Sequence, residues 1–234
     1  QMEGSYLPHA CDVFGNPTGN ATVLPLLASM TPSCWLASMF WDYYDYSGDL
    51  AYLQEWAYPL LHEVARFTEE YVTFENDRGK IEPSICWEVN GGSLKGWGVN
   101  SQYDLAALRR LWQVVESAAG LLEVDLADRE RWIRRLQRLP DFPVELETGA
   151  WKAFEDKPPI YKRAHGPWLT CPAFPFEQVS LFHGSREWYA RVMAALEAER
   201  KHGISLFDMK ADWCGYFAAN AVRLGLPEEA LRLA

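Results

Sequence analysis

Apolar residues recur every three or four positions along most of the 234-residue chain, which is the spacing of one face of an α-helix. The pattern predicts helices over residues 34–46, 59–71, 105–122, 125–139, 186–202, 211–224 and 227–234. The first of these segments is apolar on most sides, as is typical of a helix that packs against neighbours all round. The chain is therefore predicted to be all-α.

Polar residues and glycines mark where these helices begin and end. Asp49 and Asp125 stand directly before helical segments, so both are predicted to be N-caps. Gly203 and Gly225 follow the last apolar residues of two other segments and are predicted to stop them. Strand patterns are almost absent, and residues 80–82 are the one short candidate. Helices of this length, joined in pairs, predict antiparallel hairpins packed side by side.

Three long stretches, residues 1–33, 73–100 and 140–184, interrupt the helical pattern. They are rich in Gly, Pro, Trp, Asn and His. Structureless connections of this length are uncommon in compact domains unless they have a function. A rigid helical scaffold with long loops is typical of an enzyme, so we expect the three loops to meet at one end of the scaffold and to form one site.

Charge and cysteine content exclude several classes of protein. The net charge is −10, and the densest basic run, Arg129 to Arg138, alternates with apolar residues at helical spacing. This run predicts a solvated helix face and no nucleic-acid partner. The chain contains no run of 18 apolar residues, so no membrane span is predicted. The five cysteines form no C-x-x-C pair, so neither structural zinc nor a disulfide framework is implied.

One acidic residue stands out in the second loop. Glu88 lies in the run P-S-I-C-W-E-V-N, residues 83–90, directly after Trp87. A carboxyl group against an indole ring loses solvation, which raises its pKa and suits it to donate a proton near neutral pH. The alternative is a surface glutamate beside a half-buried tryptophan, and spacing alone favours that alternative.

The other acidic candidates have structural explanations. Asp104 follows Ser101 with the spacing of a capping box, so helix capping is favoured over a role in substrate binding. Asp42 and Asp45 form a D-x-x-D pair that resembles half of a magnesium motif, but polar ends of a buried helix explain them better. His9 and Asp12, with a cysteine between them, are too few to predict a zinc site.

Aromatic residues make up 14% of the chain and include 11 tryptophans. Most should lie in the core, since aromatic rings dominate buried area. Four tryptophans stand in the loops, where no helical face can bury them: Trp87, Trp97, Trp151 and Trp168. Their flat apolar faces suit the C–H faces of sugars, although they could equally stabilise the loops themselves.

The motifs, taken in order, resemble those of glycoside hydrolase family 95, the α-L-fucosidase and α-L-galactosidase family with an (α/α)6 catalytic domain. Residues 7–14 (LPHACDVF) resemble its His-rich segment, and residues 34–49 resemble its "A-W-L … W-D-H-Y-x-Y-T-G-D" helix. Residues 57–61 match its "Y-P-L-L" start. The remaining likenesses are Pro83 to Asn90 with "P-S-x-S-P-E-N", Tyr103-Asp104 with "M-D", Gly149 to Asp156 with "G-Q-L-Q-E-W-x-E-D", and Arg163 to Val179 with "H-R-H-x-S-H-L … P-G-x-x-I".

This resemblance implies an (α/α)6 toroid and an inverting, exo-acting glycosidase that removes a terminal fucose or galactose from a carbohydrate substrate. Glu88 matches the general acid of the family. The matching positions that would bind substrate are His9, Asp12, Trp35, Asp104, Glu155 and His165, and the loop tryptophan Trp97 is expected to bind substrate with them. No metal or organic cofactor is implied.

The family's "Q-I-D-G-N-F-G" segment, which supplies the water-activating aspartate, has no counterpart in these residues. We therefore expect residues 1–234 to be part of one (α/α) barrel domain that continues beyond both ends. The remainder of the polypeptide would complete the barrel and supply the catalytic base.

Several residues differ from the family pattern. Trp87 stands where the family has proline, Val89 separates Glu88 from Asn90, and only Arg163 and His165 remain of the histidine cluster. These differences leave a second hypothesis open, in which the chain is a carbohydrate-binding or structural helical domain that has lost the chemistry.

Overall fold

A computed structural model describes residues 3–7, 29–85, 97–160, 168–204 and 214–234 of the chain. The helices are α1 (Thr31–Ser47), α2 (Leu50–Tyr52), a π-helical stretch (Leu53–Ala57), α3 (Tyr58–Glu69), α4 (Gln102–Leu122), α5 (Leu126–Arg138), a 3₁₀ turn (Trp168–Thr170), α6 (Arg186–Lys201), α7 (Cys214–Arg223) and α8 (Pro227–Leu233). The strands are β1 (Val72–Glu75), β2 (Arg78–Ile81), β3 (Ser84–Ile85) and β4 (Trp97–Gly98). The predicted all-α class is confirmed.

The residues divide into two compact units. The first unit consists of Gln1–Glu82 and Ala107–Pro140, and the second of Pro83–Ala106 and Asp141–Ala234. The boundary falls inside α4, so this helix contributes its first turn to the second unit and the rest to the first. Each unit is described by itself below.

In the first unit, α1 ends at Gly48, which adopts the left-handed conformation. Asp49 accepts a hydrogen bond from the Tyr52 N–H, so its predicted role as an N-cap is confirmed. The predicted helix near Pro59 begins earlier, at Leu50, and runs through a π-helical stretch. Proline has no N–H to donate to the previous turn, and in the π-helical stretch the Tyr58 N–H instead bonds to the Leu53 carbonyl, five residues back.

Two buried indoles fix the packing of α3 against α4 and α5. Trp112 donates its indole N–H to Thr68 Oγ1 at 3.1 Å, and Trp132 donates to Glu69 Oε1 at 2.7 Å. Both tryptophans are fully buried. A buried indole N–H without an acceptor would cost free energy, so the two acceptors on the last turn of α3 set the depth at which the other helices pack.

Asp125 occupies the N-cap position of α5, as predicted, but its side chain makes no capping hydrogen bond. Its carboxylate accepts a hydrogen bond from the Tyr58 hydroxyl at 2.7 Å instead. Asp125 has a φ of 45°. The prediction of a side-chain cap was therefore wrong, because a partner on another helix takes the carboxylate.

A β-hairpin follows α3 where only one short strand was expected. β1 and β2 pair antiparallel, with Val72 opposite Ile81 and Glu75 opposite Arg78. Asn76 and Asp77 form the turn, with φ angles of 49° and 61°. A two-residue turn with two positive φ angles matches the twist of paired strands, and asparagine and aspartate tolerate it well.

In the second unit, α6 and α7 stop where predicted. Gly203 and Gly225 have φ angles of 76° and 74°, a conformation that glycine adopts without strain. Phe142, Trp151 and Trp188 form an aromatic cluster with ring centroids 4.9 to 6.3 Å apart. The predicted helix over 211–224 is described from Cys214 onward, and residues 205–213 lie outside the described part.

Asp42 takes part in an ion pair within the first unit. Its carboxylate accepts a hydrogen bond from Arg110 Nη2 at 2.6 Å. Within the described ranges, no cluster of three or more His, Cys, Asp or Glu residues is arranged to hold a metal ion. Cys34 and Cys171 are buried. Among the helices that the structure describes, none has the length and apolar character needed to cross a membrane.

Glu199 on α6 predicts a pH dependence of stability. Its side chain is buried, and within the described ranges Oε2 has no hydrogen-bond partner. Burial raises the pKa of this carboxyl well above its usual range. The folded-state pKa exceeds the unfolded value of about 4.3. The raised pKa therefore adds to the free energy of unfolding below about pH 4.3, and this addition is lost as the pH rises toward the folded-state pKa.

We expect Glu199→Leu to raise the free energy of unfolding by about 1–3 kcal/mol at pH 7, because the substitution removes an unsatisfied buried polar group. The difference should shrink at pH 4. Urea denaturation at both pH values measures it, with Glu197→Leu as the control, because the Glu197 side chain is 51% exposed on the same helix. A gain that is equal at both pH values would contradict the neutral, buried state of Glu199.

Candidate active site

The first turn of α4 is joined to β3 by one buried carboxylate. Asp104 is 3% exposed. Its Oδ2 accepts hydrogen bonds from the Ser84 hydroxyl at 2.7 Å and from the Ile85 N–H at 2.8 Å. Hydrogen bonds to an ionised acceptor are about twice as strong as neutral ones. Asp104 therefore fixes the end of β3, directly before residues 86–96, against the start of α4.

Ser101 is the N-cap of α4, and it confirms half of the predicted capping box. Its hydroxyl accepts a hydrogen bond from the Asp104 N–H at 3.0 Å and donates one to the Ile85 carbonyl at 3.0 Å. The Ser101 N–H is donated to the Ser84 hydroxyl at 2.7 Å. In a simple capping box the Asp104 side chain would accept the Ser101 N–H. Here the Ser84 hydroxyl accepts it, and the Asp104 carboxylate bonds to Ser84 and Ile85 of β3.

Residues 97–101 are held against residues 153–156 by backbone and side-chain hydrogen bonds. The Glu155 N–H bonds to the Val99 carbonyl at 3.0 Å, and the Val99 N–H bonds to Asp156 Oδ1 at 2.8 Å. Asn100 Nδ2 donates to Glu155 Oε2 at 2.6 Å. Asn100 is fully buried and has a φ of 47°, a conformation that asparagine tolerates better than most residues.

Gln102 ties a third segment to the same place. Its side-chain amide donates to the Leu169 carbonyl at 2.8 Å, and Cys171 Sγ donates to its Oε1 at 3.4 Å. Gln102 is buried. As a result, residues on both sides of 86–96 and of 161–167 are anchored around the N-terminus of α4. They are residues 84–85, 97–100, 153–156 and 169–171.

The structure brings together three of the residues that the sequence singled out. Trp97, Asp104 and Glu155 all belong to this cluster in the second unit. Trp97 pairs with Ile85 between β4 and β3, and its buried indole Nε1 has no hydrogen-bond partner among the residues that the structure describes. Glu155 is exposed at the surface of the cluster.

Five of the predicted site residues are not described as part of this cluster. Trp35 is half-buried on α1, in the first unit. The proposed acid Glu88 and three predicted binding residues are outside the described residues: His9, Asp12 and His165. The expected meeting of the three long loops at one site stays a prediction.

Sequence reasoning missed five residues of the cluster: Ser84, Asn100, Ser101 as a partner of β3, Gln102 and Asp156. Ser84 belongs to the P-S motif, and Asp156 ends the segment with Glu155, so both stood beside residues that were chosen. Their partners are distant in the sequence, with separations of 17 residues for Ser84–Ser101 and 57 for Val99–Asp156. No local pattern reports such pairs.

A charged cleft of about 470 Å³ in the first unit is a weaker candidate. His62 Nε2 lies 3.0 Å from Asp128 Oδ2, and Arg131 bonds to both Asp128 and Glu69. Burial raises the pKa of Asp128, but the hydrogen bonds from Arg131 and His62 outweigh it and lower that pKa below its usual value. Ion pairs join many of the charged groups of this cleft, which is typical of a structural ion-pair network.

Asp104 generates a prediction about stability. Asp104→Ala should lower the free energy of unfolding by about 3–5 kcal/mol, because two hydrogen bonds to a charged acceptor are lost and two buried donors are left behind. Asp49→Ala is the matched control, since the exposed Asp49 side chain caps a helix and its loss should cost about 0.5–2 kcal/mol. Urea denaturation compares the two. A loss for Asp104→Ala no larger than for Asp49→Ala would refute the anchoring role.

Comparison with known protein families identifies the chain. A search of curated proteins finds no sequence similar enough to count as a relative. The profile of the glycosyl hydrolase family 95 catalytic domain matches residues 1–224, which is nearly the whole chain. This match covers each segment of the cluster around α4, from Ser84 to Cys171. The earlier resemblance is therefore confirmed, and the chain belongs to glycoside hydrolase family 95, whose catalytic domain is an (α/α)6 toroid with glycosidase activity.

Proposed function

We propose that the protein is an inverting, exo-acting glycosidase that releases a terminal sugar of the fucose or galactose type from oligosaccharides or polysaccharides. The observation that supports this most is the convergence of Trp97, Asp104 and Glu155 around the start of α4. Asp104 and Glu155 come from separate family motifs, and the segment that carries Glu88 begins at the same cluster.

Glu88 is proposed as the general acid. It follows Ile85 by three residues, and a chain of that length spans at most about 11 Å. Ile85 is itself fixed by the Asp104 carboxylate. Trp87, the residue before Glu88, offers an apolar surface, which favours a protonated Glu88 carboxyl near neutral pH. A protonated Glu88 would donate to the glycosidic oxygen as the bond breaks.

Trp97 and Glu155 are proposed to contact the sugar. The Trp97 ring offers a flat apolar face that suits the C–H face of a sugar. The exposed Glu155 carboxylate is held in one orientation by Asn100, which suits it to accept hydrogen bonds from sugar hydroxyls. His9, Asp12, Trp35 and His165 are proposed to bind substrate because they match the family motifs.

Asp104 is proposed to position the site without forming its wall. It is buried, and its Oδ2 is occupied by Ser84 and Ile85. The residue that the resemblance assigned to substrate binding would then act through β3. A change at Asp104 should affect the placement of the following segment more than the recognition of the sugar.

Inversion also needs a base on the opposite face of the sugar, about 6.5–9.5 Å from the acid. We propose that polypeptide outside residues 1–234 supplies this carboxylate and completes the toroid, since the family's aspartate segment has no counterpart here. On this proposal residues 1–234 bind sugar or position the acid but do not hydrolyse glycosides on their own.

A non-catalytic carbohydrate-binding or structural domain is the second candidate. It is favoured by Trp87 in place of the family's proline and by the loss of all but Arg163 and His165 from the histidine cluster. Such a protein would keep the cluster around α4 and bind sugar without turnover. Binding without hydrolysis by the longer polypeptide would select this candidate.

The acid role of Glu88 predicts a difference between substrates. In the longer polypeptide, Glu88→Gln should slow hydrolysis of natural glycosides by roughly 10²–10⁴-fold, the usual contribution of one proton-transfer group. Aryl glycosides with good leaving groups should be slowed much less, since they need little protonation. Steady-state rates on both substrate types measure this, with Glu82→Gln as the control, because Glu82 is exposed and six residues upstream.

Two results would count against the proposal. Equal and small losses on natural and aryl substrates would remove Glu88 from the acid role. Rapid hydrolysis by residues 1–234 alone would show that the base lies within them.

A further inference from the structure

A second pocket in the first unit is rich in arginine. It has a volume of about 310 Å³ and lies where α5 meets the β1–β2 hairpin. We call it the arginine pocket, and its described lining residues are Phe74, Arg131, Arg134, Arg135, Gln137 and Arg138. None of these six residues is acidic, although the chain as a whole carries a net charge of −10. The four guanidinium groups therefore form a local region of positive charge on an acidic protein.

The carboxylates that bond to Arg131 belong to the neighbouring charged cleft. Arg131 and Arg135 line both cavities, whereas Glu69 and Asp128 line the charged cleft and not the arginine pocket. Arg131 donates from Nε to Glu69 at 2.9 Å and from Nη1 to Asp128 at 2.7 Å. Its Nη2 group has no partner among the described residues. Arg131 is therefore anchored from the cleft and keeps a donor group for a ligand.

Aromatic contacts hold two other guanidinium groups in place. Arg138 Cζ lies 4.1 Å from the centre of the Phe74 ring, and Arg135 Cζ lies 5.1 Å from it. Such contacts are attractive because the face of an aromatic ring is negative. Within the described ranges, Arg135 Nη2 and Arg138 Nη1 have no hydrogen-bond partner. A guanidinium that is already fixed loses little conformational freedom when it binds an anion.

The remaining ion pairs of the arginine pocket are exposed. Arg134 lies 3.5 Å from Glu130, and the two side chains are 62% and 73% exposed. Arg138 lies 3.1 Å from Asp77, whose side chain is 95% exposed. Exposed ion pairs contribute little to stability. An anionic ligand can therefore replace these two carboxylates without unfolding the helix.

The charge of Arg135 is not fully compensated by the protein. Burial lowers the pKa of its guanidinium from its ordinary value, and although Glu69 raises that pKa, the positive charges of Arg131 and Arg138 lower it further. A negative group in the arginine pocket would stabilise the charged form of Arg135. The electrostatics of the pocket thus agree with its geometry.

We propose that the arginine pocket binds the acidic group of an anionic polysaccharide, either the carboxylate of a uronic acid or a sulfate ester. The planar fork of a guanidinium group matches the oxygens of such anions with two parallel hydrogen bonds. The chain belongs to a glycosidase family, so a charged sugar is the chemically fitting anion. The site goes beyond the proposed glycosidase activity, because none of its residues belongs to the cluster around α4.

The size of the arginine pocket favours a sugar over a nucleic acid. Its volume of about 310 Å³ lies at the lower end of the range for small-ligand sites. A nucleic acid needs basic residues spread along several phosphates, whereas the four arginines of the pocket lie within two turns of one helix.

Equilibrium binding of three probes tests the proposal. They are an oligogalacturonate, a sulfated galactan oligosaccharide and a neutral galactan oligosaccharide of the same length. At low ionic strength the protein should bind one of the acidic probes about tenfold more tightly than the neutral probe. The acidic probe that binds distinguishes a carboxylate site from a sulfate site. The preference should decrease as sodium chloride is raised to about 0.5 M, since salt screens exposed charges.

Substitutions assign the binding to the pocket. Arg134→Gln should weaken binding of the acidic probe about tenfold, and Arg134→Gln combined with Arg138→Gln about a hundredfold, because each removes a charge-assisted hydrogen bond. Arg200→Gln on α6 is the matched control, since Arg200 is 58% exposed and pairs with Glu197 at 3.5 Å. It removes the same charge from the second unit and should leave binding unchanged. Melting temperatures close to wild type would show that all three variants fold.

Three results would overturn the proposal. Equally tight binding of the neutral probe and both acidic probes would remove the recognition of charge. Losses for the pocket variants no larger than for Arg200→Gln would place the acidic probes elsewhere. Tighter binding of inorganic sulfate or of a single-stranded oligonucleotide than of either acidic saccharide would assign the pocket to another ligand. Because binding is measured without turnover, an inactive protein that prefers an acidic probe would reject the glycosidase proposal and keep this one.

Discussion

The cluster around the start of α4 is held together by one buried carboxylate, that of Asp104. Asp104 accepts the Ser84 hydroxyl and the Ile85 N–H, so a negative side chain on the first turn of α4 holds a strand in place. A helix N-terminus carries partial positive charge, which further favours a carboxylate at that position. The arrangement converts the end of a helix into a fixed point from which the segments around it extend. A site built on such a point does not require rigid loops along their whole length.

The fold could be predicted where the signals were local. Asp49 caps the residue three positions later, and Gly203 and Gly225 supply the left-handed conformation that ends their helices. Prediction was wrong where a distant partner decided the outcome. Asp125 gives its carboxylate to Tyr58, 67 positions away. The β1–β2 hairpin was missed because its Asn-Asp turn was read as part of a loop.

The candidate site divides in the same way. The order of the motifs led to Asp104 and Glu155, and the loop position led to Trp97, although the local pattern around Asp104 gave helix capping as the better explanation. The observed geometry combines the two readings, because the Ser101 hydroxyl caps the helix while Asp104 binds β3. Asn100 and Gln102 were not predicted, since only the folded chain brings Glu155 and Leu169 to them.

Asn100 shows how narrowly such a position constrains its residue. Glycine would accept the positive φ but could not donate to Glu155, and aspartate would accept the φ but place a second negative charge beside that carboxylate. Asparagine satisfies the backbone and the partner together. The two positions, 55 apart in the sequence, are therefore coupled: a change at Glu155 removes an acceptor that the buried Asn100 amide depends on.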